Sequence, residues 1–193
     1  LAGHSRVLVG GLPGVGKTTI LSRAAESIRA SSRSVLLVVF GSVMLDEAKK
    51  LGVSDRDRLR FLPVETQRQL QLKAAKKIYD MQADFVLIDT HFVIRTPEGF
   101  WPGLPIEVLK TLNPTHIVMI QAAVQSILSR RRNDPTRKRD EERPEDIEAE
   151  LELSRQFMVI ASAETGAPMK IINNEESGAE LAMKEFLSTI RAE

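Results

Sequence analysis

Five short apolar runs alternate along the chain with longer stretches in which apolar residues recur every three or four positions. The runs at 6–10, 34–40, 85–89, 116–120 and 169–172 are rich in Val, Ile, Leu and Phe, the composition of strands buried on both faces. Helical periodicity marks 17–30, 64–81, 123–132, 145–163 and 178–190. Strand and helix in alternation predict an α/β fold: a five-stranded parallel sheet flanked by helices in three layers, joined by right-handed crossovers. Three segments fit neither period: 41–62, the Pro- and Gly-punctuated 96–105, and the charged 130–143. Ligands of open parallel sheets gather at the carboxyl ends of the strands. Two of these segments follow a strand directly, and the third follows the helix after one.

Composition narrows the picture. At 193 residues the chain is expected to form one domain, 1–193, with a core that needs no staples. Hydrophobic residues at 42% and charged residues at 27% are ordinary for a globular protein. No apolar run reaches the length of a membrane span, so a membrane partner is not expected. Near Leu1 there is no basic stretch followed by an apolar one, which with zero cysteines leads to the expectation of a reducing, cytoplasmic setting. A net charge of +1 supplies no global field for nucleic acid, so phosphate binding must come from local clusters.

The strongest local signal is Gly11-Leu12-Pro13-Gly14-Val15-Gly16-Lys17-Thr18, a complete G-x-x-x-x-G-K-[ST] placed after a predicted strand and before a predicted helix. Glycines let consecutive backbone N–H groups turn inward around phosphate oxygens, and the helix aims its positive dipole end at them. In that arrangement Lys17 reaches the β- and γ-phosphates and the Thr18 hydroxyl ligates Mg²⁺. The run Phe85-Val86-Leu87-Ile88-Asp89 is a matching strand that ends in a carboxylate, and Asp89 is the second candidate for Mg²⁺, through its waters. Between positions 130 and 139, six basic residues (Arg130, Arg131, Arg132, Arg137, Lys138, Arg139) face one acidic residue, Asp134. Such a run is ordinarily a solvated helix end. Beside a phosphate loop it suits a clamp of guanidinium groups on a transferring phosphoryl group. Arg95, just past the third predicted strand, is a further candidate.

Together these residues resemble the archaeal-type adenylate kinases, within the P-loop nucleoside monophosphate kinases. The resemblance rests on the phosphate loop through Thr19, on Gly41-Ser42-Val43-Met44-Leu45, on Asp55-Arg56-Asp57-Arg58-Leu59-Arg60, and on Ile88-Asp89-Thr90-His91-Phe92-Val93-Ile94-Arg95-Thr96-Pro97. Pro102-Gly103-Leu104-Pro105 and Thr136-Arg137-Lys138-Arg139-Asp140 complete it. It implies a monophosphate-binding arm at 41–70, a short lid at 133–144, and reversible transfer of the γ-phosphoryl group from MgATP to AMP, giving two ADP. Residues 11–19 would bind ATP. Ser42, Arg60 and Arg95 would contact AMP, with Arg95 on its phosphate, and Arg130, Arg137 and Arg139 would clamp the transferring group. The resemblance also implies a homotrimer. Two positions depart from many relatives: Ser42 stands where an acidic residue or Thr is common, and Gln121 where an acidic residue ends the strand.

Other readings stay open at this stage. The acceptor could be CMP, UMP or a small alcohol on the same fold. The chain could instead be a nucleotide-dependent switch with a protein or RNA partner, although the near-zero net charge counts against nucleic acid. A GTPase is disfavoured, since Ile172-Asn173-Asn174-Glu175 is not Asn-Lys-x-Asp. His4, His91 and His116 share no metal-ligand spacing and are expected to be structural.

Overall fold

The computed structural model describes residues 4–96, 99–133, 143–175 and 178–192, apart from the side chains of Arg56, Asp57 and Arg60. In chain order the elements are β1 (Ser5–Gly10), α1 (Lys17–Ala30), β2 (Val35–Val39), α2 (Phe40–Lys49), a 3₁₀ turn (Arg56–Phe61), α3 (Val64–Tyr79), β3 (Phe85–Asp89), β4 (Val93–Thr96) and β5 (Gly99–Pro102). They continue with α4 (Ile106–Leu112), β6 (His116–Gln121), α5 (Val124–Arg132), α6 (Pro144–Thr165), β7 (Met169–Asn173) and α7 (Ala179–Thr189).

The five predicted strands form one parallel sheet in the order β2-β3-β1-β6-β7. β1 pairs with β3 from Ser5↔Phe85 to Val9↔Asp89 and with β6 from Val7↔His116 to Gly10↔Met119. Double burial explains the apolar runs of the inner strands, where Val7, Leu8 and Val9 of β1 and the whole of Ile117 to Ile120 are inaccessible to solvent. The edge strands depart from the expected burial on both faces, with Leu36 and Leu37 of β2 and Met169 of β7 exposed. The chain leaves β1 toward β2 on one side and later returns toward β6 on the other. Right-handed crossovers therefore place α1 on one face, where it packs with α7, and put α2, α3, α4 and α6 in succession on the opposite face. The strand order reverses beside β1. The crevice at its carboxyl end is where such sheets bind ligands, and the glycine-rich loop opens there.

Three findings refine the expectations. Phe40 begins α2 and does not end β2: Phe40, Met44 and Ala48, four residues apart, are buried on one helix face. The Pro/Gly-rich stretch contains an antiparallel hairpin, with Val93 opposite Pro102 and Arg95 opposite Phe100. Short helix α4 follows, buries Val108, Leu109 and Leu112, and stops at Asn113, which takes a left-handed conformation (φ 46°). The expected lid falls largely on residues 134–142, which lie outside the described residues.

Phe92 joins the sheet to the hairpin and to α6. It is 1% exposed, and its ring lies against the Cα of Gly10, where a Cβ would overlap it. On its other side it stacks with Phe157 of α6 at 6.3 Å between centroids. A side chain at position 10 would displace the ring that seats the start of the phosphate loop.

Candidate active site

The helix that follows the loop starts without a side-chain cap and with no acidic residue in its first turn. A helix start of that kind, with its positive dipole end, favours an anion beside it. Gly16 stands at the N-cap with φ 90° and ψ 19°, a left-handed conformation that suits glycine. A Cβ there would also force the side-chain nitrogen of Asn174 to move.

The carbonyls of the loop are held by side-chain donors one after another. Lys17 Nζ donates to Gly11 O at 2.6 Å and to Leu12 O at 3.3 Å. Arg131 Nε donates to Pro13 O at 2.9 Å. Arg130 Nη1 donates to Gly14 O at 3.3 Å and to Val15 O at 3.2 Å, and Asn174 Nδ2 donates to Val15 O at 2.7 Å. Every carbonyl from Gly11 to Val15 is thus engaged, which fixes the orientation of the peptide planes whose N–H groups make an anion nest.

Lys17 is 7% exposed, and its Nζ lies 3.9 Å from Asp89 Oδ1 at the end of β3. Thr18 and Thr19 are exposed at the start of α1. Ammonium and carboxylate therefore meet at the carboxyl edge of two adjacent strands, with Thr18 next in the chain after Lys17. Among the described residues no group of three or more His, Asp or Glu side chains gathers. One carboxylate and one hydroxyl form a sparse set of hard oxygen donors, which fits Mg²⁺, an ion that keeps several waters and takes its other ligands from phosphates.

Ser42 lies exposed in the first turn of α2, directly after β2 and one strand over from Asp89. Arg95 projects from β4. Its Nη2 is 3.1 Å from Asp146 Oδ1 in the first turn of α6, and its guanidinium carbon lies 5.5 Å from the centre of the Phe100 ring. Arg60 falls on the 3₁₀ turn, with its side chain outside the described structure. Arg137 and Arg139 also lie outside the described residues. His4 and His116 sit at the amino ends of β1 and β6, the opposite edge of the sheet from the loop.

Two residues at the site, Asn174 and Asp146, carried no sequence signal, and Arg131 was marked only as one of six basic residues in the run at 130–139. Arg131 is 8% exposed, and besides Pro13 O it faces Glu150 Oε2 at 3.8 Å. Within a run of three arginines only helical phase separates it: Ile127, Leu128 and Arg131 share the buried face of α5. Asn174 is 4% exposed, follows β7, and carried no motif. Asp146 shares its carboxylate between Arg95 and Arg143 Nε at 3.4 Å. Hydrogen bonds from Arg143, and then from Arg95, hold its carboxyl below the usual carboxylate range.

Gln121 has a structural role. Its Nε2 donates to Asn173 Oδ1 at 2.7 Å, and its Oε1 accepts from Arg155 Nε at 3.1 Å. A carboxylate there would accept from the arginine but have no proton to donate to Asn173.

A family model described as an AAA domain matches residues 10–148. The adenylate kinase of Pyrococcus furiosus is 44% identical over 187 residues, covering 95% of this chain and 94% of its own. That of Methanocaldococcus jannaschii is 41% identical over 187 residues, covering 96% and 97%. Among solved structures, a shikimate kinase from Bacteroides thetaiotaomicron matches with a TM-score of 0.63 at 10% identity, covering 97% of this chain and 98% of its own. At that identity the likeness is one of fold alone.

Proposed function

The chain belongs to the adenylate kinase family, and we propose that it transfers the γ-phosphoryl group of ATP reversibly to AMP at the carboxyl edge of β1 and β3. The observation that carries this reading is the phosphate loop with every carbonyl from Gly11 to Val15 tied back, beside Lys17, Thr18 and Asp89. Residues 11–19 hold the donor's phosphates through backbone N–H groups and the start of α1. Lys17 exchanges Gly11 O and Leu12 O for phosphate oxygens. Thr18 and Asp89 would hold the Mg²⁺ that accompanies ATP, and that ion supplies charge neutralisation on the phosphates.

The acceptor phosphate is held by Arg95, with Ser42 and Arg60 on the rest of AMP and the segment 41–70 serving as the acceptor arm. An oxygen of that phosphate attacks the γ-phosphorus, and the β–γ bridging bond breaks to leave ADP on each side. No protein nucleophile is needed, so the protein's contribution is alignment and charge stabilisation. Arg130, Arg137 and Arg139 are the clamp in this reading. Water must be kept out, because it is itself an acceptor, and closure of the arm and of a lid at 133–144 when AMP binds serves that end. The family resemblance also supports a homotrimer in the cytoplasm. No helix among the described residues is long and apolar enough to cross a membrane.

The test is steady-state phosphoryl transfer from MgATP with AMP, CMP, UMP, GMP and water as acceptors. Fast ADP formation with AMP alone supports the assignment. Fast transfer to another monophosphate changes the acceptor. Slow ADP release indifferent to acceptor overturns the kinase reading in favour of a switch ATPase.

A further inference from the structure

The carboxylate of Asp146 stands on the guanidinium that the proposed reaction assigns to the acceptor's phosphate. Its Oδ1 lies 3.1 Å from Arg95 Nη2, and its Oδ2 accepts from Arg143 Nε at 3.4 Å. Two guanidinium groups on two oxygens of one anion is the arrangement a phosphate would seek. Arg95 is 43% exposed and Asp146 24%, so the pair sits at a surface that a ligand can reach. The hydrogen bonds from Arg143 and Arg95 lower the carboxyl's proton affinity, which keeps Asp146 ionised at neutral pH. A nucleoside monophosphate brings nearly two negative charges of its own at that pH. Two anions on one guanidinium repel one another, and one must yield or both are weakened.

We infer that Asp146 is a positioning residue of the acceptor site: it holds Arg95 as an internal anion and sets the affinity for the acceptor monophosphate by competing with it. This rests on the assignment of Arg95 to the acceptor phosphate. Asp146 does not touch the reacting atoms, and its effect falls on acceptor binding, not on turnover. The competing role differs from that of an ordinary acidic residue at a helix start, which would favour α6 through the dipole alone and leave acceptor affinity unchanged. Glu145, in the same first turn, provides the comparison.

The experiment measures AMP binding by titration calorimetry, together with KM for AMP, KM for ATP and kcat, in the 193-residue chain and its variants. Asp146→Asn keeps the shape and removes the charge. It is expected to tighten AMP by about two- to fivefold, the range for a partly exposed ion pair, with KM for ATP and kcat unchanged. Glu145→Gln is expected to leave all four values alone. Arg95→Ala is expected to weaken AMP, and Asp146→Asn added to it is expected to have no further effect, because the shared partner is gone. Should Asp146→Asn leave AMP affinity unchanged or weaken it while Arg95→Ala weakens it, the inference fails and the Arg95 assignment stands. Should Arg95→Ala leave AMP affinity unchanged, both fail.

Discussion

In the proposed reaction Lys17, beside Asp89, exchanges the carbonyls of Gly11 and Leu12 for the phosphates of a nucleotide. The exchange returns most when charge builds up on the transferring group, so its contribution is larger in the transition state than in the ground state. Lys17→Ala is therefore expected to lower kcat by roughly 100-fold or more, with a smaller loss of ATP affinity, as measured by turnover alongside equilibrium binding of ATP. Unchanged turnover would remove Lys17 from the chemistry. Phe92 carries a different kind of weight. It fills the space between Gly10, the hairpin and Phe157, and the rigid strand end beside it cannot collapse into a gap. Phe92→Ala is expected to cost about 3–5 kcal/mol, read from urea denaturation of the variant and the parent protein.

At the scale of elements, edge strand β2 is tied to β3 by a reciprocal pair. Asp84 Oδ2 accepts from Ser34 N and from Ser34 Oγ, each at 2.7 Å, and Asp84 N donates to Ser34 Oγ at 2.8 Å. The hydrogen bond from the Ser34 hydroxyl, then that from its N–H, lowers the carboxyl's pKa. A lowered carboxylate contributes stability that is fully present above its unfolded value near pH 4 and is lost as pH falls through the lower folded value. Thermal denaturation across a pH series should show an acid-side loss of stability that Asp84→Asn reduces; an identical pH profile in the variant would exclude the contribution.

The five strands of the sheet were legible because parallel strands are apolar throughout, and α1 was legible from its motif and period. Helix α2 was not, because Phe40 continues the apolar run of β2 without a turn residue between them, and a short run carries no period of its own. The hairpin was hidden by its prolines and glycines, which read equally well as loop. At the site, the loop motif and the strand ending in Asp89 made the neighbourhood of Lys17 and Asp89 legible, and the two lie 3.9 Å apart. The basic run, by contrast, did not show that Arg130 donates to Gly14 O and Val15 O. Arg131, Asn174 and Asp146 act through backbone carbonyls and through another side chain, and such contacts leave no spacing in the sequence.

For the whole molecule, the order β2-β3-β1-β6-β7 gathers groups far apart in sequence at one edge, including Lys17, Asp89 and Arg130. Asn174 reaches the loop across 159 positions. The outer surface carries apolar residues as well: Val159 and Ile160 on α6 are 50% and 49% exposed. If the homotrimer supported by resemblance forms, light scattering coupled to size exclusion should give three chain masses at micromolar concentration; a single chain mass would refute it. The central place of β1 has a further consequence. Paired on both sides and with Val7, Leu8 and Val9 inaccessible, its amides should exchange with deuterium only through the largest opening the protein undergoes. The phosphate loop therefore hangs from the last part of the chain to come apart, and heat should abolish ATP binding together with the sheet and not before it.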